Sequence, residues 1–424
     1  MLLVALPQVA SDLRVGPSQV SWLVTGYLVA MAATLAIGGS LGDRYGRRRV
    51  ILIGLAAFGL ASTVGAVAPN LLIAIMARVL QAVASAVVFP SGAALLRELV
   101  AGHRRGRAFG TVGAALNLAA AAGPLAGSGL VLLHGWRLIF LINLPIVMVA
   151  FLLTARSIPR QPTEAGPAGS ALDYGGMALL TATLIAISAA LSFGARLGFG
   201  ALALLAAVGG LAVSLVIYEA RRPHPALRID FFRVPSFAAA SAGVSLSNFA
   251  MYSTLIALPV MMAARPGWNA TGSGILLASM STGSVLLSPV GGRLADRLGR
   301  RLPAVAGLSL AAMALLLVAV TNRTLVELAP LLAIAGCGFG LSSAGLQTTA
   351  VEAVAATDAG AAAGLYSTSR YLGSLVGSSL LAAVFAATNP GLALGPVMVM
   401  VSLGALMAAG VAVRLPGRPA PAAR

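Results

Sequence analysis

The stretch Gly39-Ser40-Leu41-Gly42-Asp43-Arg44-Tyr45-Gly46-Arg47-Arg48-Arg49 returns later in the chain as Gly292-Arg293-Leu294-Ala295-Asp296-Arg297-Leu298-Gly299-Arg300-Arg301. Glycine, aspartate and arginine recur at the same places, with the two aspartates 253 positions apart. Each residue type has a physical reason to be there. Glycine permits a tight turn and close approach of helices. An aspartate at a helix end can meet the positive N-terminus of a neighbouring helix. Arginines anchor at anionic lipid headgroups. Each copy follows a long apolar segment, so the repeat predicts two related halves in a helical membrane protein.

Composition supports this reading. The chain has 424 residues, of which 59% are hydrophobic and 9% charged, whereas soluble domains carry about 25% charged residues. With a mean hydropathy of +0.95, the surface must face lipid. A crossing helix needs roughly 20 mostly apolar residues. That ruler gives thirteen predicted spans at 18–41, 50–68, 71–95, 108–133, 137–155, 173–193, 198–218, 237–262, 271–291, 302–320, 325–349, 360–387 and 392–413. The apolar residues 1–9 are too short to cross, and read as the last half of a first helix whose beginning is missing, bringing the count to fourteen. Six spans at about 30 residues each need roughly 180. The longer repeat distance therefore places two extra spans, 173–193 and 198–218, between two six-helix halves. The expected organisation is a bundle over 1–155, a linker with two inserted helices over 156–236, a second bundle over 237–413 and a tail over 414–424.

The formal net charge of +17 comes from arginine alone among the basic residues, since the chain has no lysine. In a soluble protein that charge would suggest nucleic acid. Here the arginines cluster in alternate loops. Arg44 to Arg49, Arg97 to Arg107, Arg156 and Arg160, Arg221 to Arg233, Arg293 to Arg301, and Arg414, Arg418 and Arg424 form one set. Arg14, Arg137, Arg196, Arg265 and Arg323 form the other. The bias, about four to one, makes the first set cytoplasmic and puts both termini inside.

Several further segments carry chemistry. Arg78, in Ile75-Met76-Ala77-Arg78-Val79-Leu80-Gln81, lies inside an apolar span. An intramembrane arginine costs at least about 2.5–3.5 kcal/mol on insertion scales and is functional by default, with a nearby partner. Gly123-Pro124-Leu125-Ala126-Gly127 removes a helix hydrogen bond and allows close packing, so its span can bend. Trp136 and Arg137 open the sixth span, as at any membrane interface. Tyr366 and Arg370 are four apart on one helix face and could line a cavity. Asn117, Asn248, Tyr252 and Gln347 are polar residues within apolar spans, suited either to substrate or to helix–helix hydrogen bonding. One cysteine, Cys337, and three scattered histidines (His103, His134, His224) provide no disulfide and no recognisable metal spacing. No paired carboxylates, nucleophile–base set or large extramembranous domain suggests an enzyme, and no cofactor is implied.

Taken together, Ala5-Leu6-Pro7, the 39–49 motif, Arg78, Gly123-Pro124, Trp136–Pro145 and Ala359–Arg370 resemble the major facilitator superfamily, and within it the fourteen-helix drug/proton antiporter branch. The resemblance covers essentially the whole chain. It implies two six-helix bundles around a central cavity, alternating access, a plasma-membrane location in a bacterial inner membrane, and a monomer exchanging protons for amphipathic, often cationic compounds. It implies a conformational latch at Gly39, Asp43, Arg44, Gly46 and Arg47, with the second copy at Asp296, Arg297, Gly299 and Arg300. It also implies proton coupling at Arg78 and an antiporter bend at Gly123, Pro124 and Gly127. Two features depart from the family pattern. The acidic residue usual in the first helix falls a few residues before Ala5-Leu6-Pro7, in the region that reads as missing, and Ala82 replaces the glycine usual after Arg78-x-x-Gln81. With no Asp or Glu near the middle of any span, an uncoupled facilitator or importer of the same fold stands as the alternative.

Overall fold

The computed structural model describes residues 2–15, 17–20, 22–159, 174–193, 200–221, 228–263, 270–320, 325–387 and 394–417. Within the predicted linker 156–236, most of the stretch 156–172, with Arg160, therefore lies outside the described residues. So do Arg196, Arg222, His224, Arg265, Arg323, Arg418 and Arg424.

The helices are α1 (Leu2–Asp12), α2 (Pro17–Val20), α3 (Trp22–Tyr45), α4 (Arg47–Ala66), α5 (Leu71–Leu99), α6 (Arg105–His134), α7 (Leu138–Leu141), α8 (Asn143–Ser157), α9 (Tyr174–Phe193), α10 (Gly200–Ala220), α11 (Pro235–Ala263), α12 (Ala270–Leu298), α13 (Arg301–Val320), α14 (Leu325–Glu352), α15 (Ala359–Ala387) and α16 (Leu394–Ala412). With α7 and α8 taken together, each of the thirteen predicted spans has its helix. Among the described residues, seven spans, α7 and α8 counted as one, are long and apolar enough to cross a membrane, or eight with α3, which bends by 48° between Leu35 and Ile37.

Helix ends differ from the predicted spans in a consistent way. The span predicted over 271–291 continues to Leu298, and that over 71–95 continues to Leu99. Charged residues end contact with hydrocarbon, but they do not end a helix whose carbonyls are still paired. The repeated motif is thus not a loop. It is the end of one helix, a junction of one residue (Gly46) or two (Gly299 and Arg300), and the start of the next. Gly46 (φ 89°) and Gly299 (φ 84°) supply that junction from the left-handed region, which glycine enters without a Cβ clash. The sixth span, predicted over 137–155, is broken after α7. Pro145, which has no N–H to donate, sits in the first turn of α8, where that loss costs nothing.

The side-chain distribution is that of a lipid-facing bundle. Leu60, Leu133 and Val320 are 70%, 71% and 70% exposed. The helix contacts are lined instead by small residues such as Ala32, Ala74, Ala82, Ala304 and Ala335. Several buried serines and threonines return their hydroxyls to carbonyls one turn back, as Thr254 does to Ala250 and Thr348 to Ala344. Lipid is as apolar as leucine, so nothing drives large apolar groups inward, and close backbone packing holds the helices together.

Helices α3 to α8 pack among themselves, as do α11 to α16, giving two six-helix bundles once α1 is counted with the first. The bundles meet along two seams, α3 against α15 and α6 against α12. The inserted pair α9 and α10 pack on each other, and α9 also touches α3 and α15. Helix α1 completes the first bundle through Leu2, Ala5 and Val9, which share a core with Trp136 and Phe140. Trp136 is fully buried and donates Nε1–H to Asp12 at 3.0 Å. The indole is therefore not an interface anchor in lipid, as the sequence suggested, but a polar clasp between α1 and the turn before α7. The predicted tail is held as far as it is described. Leu415 is buried and its carbonyl accepts from Arg301 Nε at 2.9 Å.

Candidate functional site

The arginine-rich end of the molecule carries the repeated motif, and its two aspartates do the same thing in opposite directions. Asp43, in the last turn of α3, accepts from the backbone N–H of Gly360 at 3.1 Å and of Ala361 at 2.9 Å, at the start of α15. Asp296, in the last turn of α12, accepts from the N–H of Gly106 at 2.7 Å and of Arg107 at 2.8 Å, at the start of α6. Each carboxylate thus meets the free donors and the positive end of a helix in the other bundle. Close approach makes this possible. A Cβ at Gly39 would overlap the Gly360 carbonyl, and one at Gly292 the Gly106 carbonyl.

Arginines hold the aspartates in place. Arg47, nearly buried at 9% exposure, donates to Asp43 at 3.0 Å, to Glu98 at 2.9 Å, and across the seam to the Ala356 carbonyl at 2.8 Å. In the second copy Arg300 pairs with Glu352. Glu98 and Glu352 both lie at the end of the fourth helix of their half, and the sequence reading gave neither a role. The signal was available: they stand 254 positions apart, almost the spacing of the motif. Two more arginines tie the first bundle to the second. Arg97 donates to the Val351, Val354 and Ala355 carbonyls, at and just beyond the end of α14. Arg105 pairs with Glu352 at 3.0 Å. Arg44 lies over the Tyr45 ring at 5.3 Å, and Arg297 is exposed. Next to this end, Arg228 bridges Asp230 and Asp358. The Asp230 hydrogen bond leads in holding its guanidinium above the usual range, against the opposing effect of burial, and attraction to Asp358 adds to it.

Arg78 sits on α5 away from that end. Its guanidinium stacks 4.0 Å from the Tyr27 ring centroid, donates to the Leu23 carbonyl at 3.3 Å and to Gln81 Oε1 at 2.9 Å. Gln81 is fully buried and passes the chain on to Ser62 Oγ at 2.7 Å. No acidic side chain among the described residues pairs with Arg78; the partner expected from the sequence is an aromatic face and two oxygens.

Between the bundles lies a cavity of about 490 Å³. Asn248, Tyr252, Gln347 and Arg370 all line it, together with Met31, Leu35, Phe89, Phe109, Leu116, Tyr371 and others. Asn248 also returns its amide to the Val244 carbonyl at 3.0 Å. Tyr366 lies behind the wall, fully buried, with Arg370 5.6 Å from its ring centroid. The helix carrying Gly123, Pro124 and Gly127 is one continuous element, with Gly123 and Gly127 buried; the side chains of Asn117 and Pro124 lie outside the described residues.

A two-bundle helical fold, repeated seams and a central cavity narrow the family, and one comparison decides it. The model of the Major Facilitator Superfamily matches residues 1–378. The chain belongs to that superfamily. Members of this superfamily are transporters rather than enzymes, and this chain is a multi-pass membrane transporter of small molecules. It is 31% identical over 386 residues to the "Uncharacterized MFS-type transporter YvkA" of Bacillus subtilis, covering 90% of this chain and 85% of that protein. It is 29% identical over 389 residues to "Multidrug resistance protein Stp" of Mycobacterium tuberculosis, covering 91% of this chain and 72% of that protein. Among solved structures it is similar in fold to the human organic anion transporter MFSD10, with a TM-score of 0.68 at 16% identity over 96% of this chain and 88% of that one.

Proposed function

We propose that this superfamily member is a proton-coupled exporter of amphipathic small molecules, working by alternating access. The observation that carries the reading is the pair of carboxylate-to-helix contacts, Asp43 on α15 and Asp296 on α6. They tie the bundles at the arginine-rich end, which the charge bias assigns to the cytoplasm. Both contacts are acceptor-to-backbone bonds at helix ends, so they can part without breaking either helix. Parting of both would let the bundles rock and open the cavity to that side.

Export is supported by the relatives named multidrug resistance proteins at about 29% identity. For coupling, Arg78 and its Gln81–Ser62 chain form a polar network on α5 away from the latch, in a position where a proton on a passing acidic group would be felt. The test is proton flux in everted vesicles carrying the full chain. With a pH gradient imposed, a transported compound should collapse the gradient with the wild type and leave it intact with Asp43→Asn. A compound that is exported while the gradient stays constant overturns the coupling.

One observation favours the uncoupled alternative. Nine of the eleven acidic residues are described, and none of the nine lines the cavity or meets Arg78. The two readings separate with a protonophore. It stops coupled export against a concentration gradient, and leaves facilitated equilibration unchanged.

A further inference from the structure

The two walls of the cavity are chemically unlike. From α3, α5 and α6 come only apolar side chains and one glycine, with Met31, Leu35, Phe89, Phe109, Val112 and Leu116 among them. Every described polar side chain in the lining comes from α11, α12, α14 and α15, and the one charged group among them is Arg370. The internal repeat shows that this charge is a choice rather than a requirement of the fold. Arg370 lies ten residues after Gly360, and Leu116 lies ten residues after Gly106. Gly360 and Gly106 are the matched helix starts of the two latches, so Arg370 and Leu116 are equivalent positions, and both reach the cavity. Ten residues is about 15 Å along a helix, near the middle of the bilayer.

A guanidinium so placed is costly without a counter-charge. Among the described residues none supplies one. Asp43, Glu98, Asp296 and Glu352 are engaged at the arginine-rich end, Asp230 and Asp358 are bound to Arg228, and Asp12 is bound to Trp136 and Arg137. Glu219 and Glu327 do not line the cavity. Arg370 keeps a buried Nε with no hydrogen-bond partner among the described residues, and its aromatic neighbour behind the wall, Tyr366, is neutral. An unmatched cation, an unmet donor and an apolar wall opposite define one kind of guest.

We propose that the cavity binds amphipathic acids. The anionic head pairs with Arg370, with Gln347 and Asn248 on the same wall, and the apolar body lies against α3, α5 and α6. The proposal rests on the transport reading above and specifies its substrate class, replacing the cationic compounds that the family resemblance implies.

The experiment is binding to the purified full chain in detergent, read by equilibrium dialysis and by ligand-induced thermal stabilisation. The probes are 2-naphthoate, 2-naphthylmethanol and 2-naphthylmethylammonium, which share one ring system and differ in the charge of the head. Naphthoate is expected to bind the wild type about tenfold or more tighter than the other two. Arg370→Gln should remove that preference while the neutral alcohol binds as before, and Arg370→Lys should keep part of it. Equal binding of the three probes, or tighter binding of the ammonium, by the wild type overturns the proposal without reference to any variant. So does a well-folded Arg370→Gln protein that keeps the naphthoate preference. Gradient collapse by cationic compounds alone would leave the transport reading intact while the acid proposal fails. Naphthoate export with the gradient unchanged would leave the acid proposal intact and overturn the coupling.

Discussion

The arginine-rich end and the central cavity are built from the same two halves, yet one is nearly symmetric and the other is not. At the arginine-rich end Asp43 and Asp296 make equivalent pairs of bonds to equivalent helix starts, and Gly39 and Gly292 press on matching carbonyls. In the cavity, equivalent positions hold leucine on one side and arginine on the other. The difference separates mechanics from recognition. Two seams that must open together need matched strength. A guest with one polar and one apolar end needs unmatched walls.

The comparison breaks most sharply at the aspartates. Asp43→Asn and Asp296→Asn should each abolish transport in everted vesicles while the protein still inserts, because each removes a charge that accepts two helix-end bonds. A charge-assisted bond of about 1.5–3 kcal/mol corresponds to roughly a ten- to hundredfold shift between conformers. If only one of the two variants fails, the two seams are not mechanically equivalent.

Next in size is Arg78→Ala, which should lower substrate-driven proton flux by about tenfold or more, since it strands the buried Gln81 amide and the Tyr27 face. A variant with normal flux would remove Arg78 from the coupling. Smaller still are Gly39→Ala and Gly292→Ala. Each methyl meets backbone that cannot yield, so each should hold its seam apart. In a Cys337→Ala background with Leu96→Cys, a cavity-lining position in the last turn of α5, labelling by a membrane-impermeant thiol reagent from the arginine-rich side should rise several-fold for both, by about the same factor. Unequal factors would again divide the seams. The smallest effect belongs to Leu116→Ala. It should weaken binding of all three naphthyl probes by a similar factor, between a few-fold and about tenfold, leaving their order intact. A change in their order would move charge selection away from the arginine wall.

These residues differ in how far the sequence exposes them. Gly46 and Gly299 were visible because a tight junction between helices imposes a local backbone demand, repeated at a fixed distance. Asp43 was visible as a helix-end residue suited to a neighbouring helix start, but Gly360, 317 positions away, could be found as its partner only once α3 and α15 were seen to cross. Glu98 and Glu352 carried a readable spacing that an apolar-span ruler passes over, since it registers them only as residues beyond the hydrocarbon. Trp136 was misread for a related reason. Hydropathy places an indole at a depth but not on a side of the helix, and Asp12 waits on the inner side.

What the sequence by itself determined is the membrane class, the positions of the helices, the doubling of the halves and the charge bias between their two ends. Hydrocarbon forces every crossing segment to pair its own backbone and to stay apolar for about 20 residues, so these properties are written locally. Only the tertiary structure decided that four of the polar residues scattered through the spans, Asn248, Tyr252, Gln347 and Arg370, meet at one cavity, and that the opposite wall offers them no polar partner. Which face of a helix looks inward depends on how helices far apart in sequence cross. Those crossings are set by small residues in close contact along α3–α15 and α6–α12, where each glycine has meaning only through the carbonyl it touches in the other half.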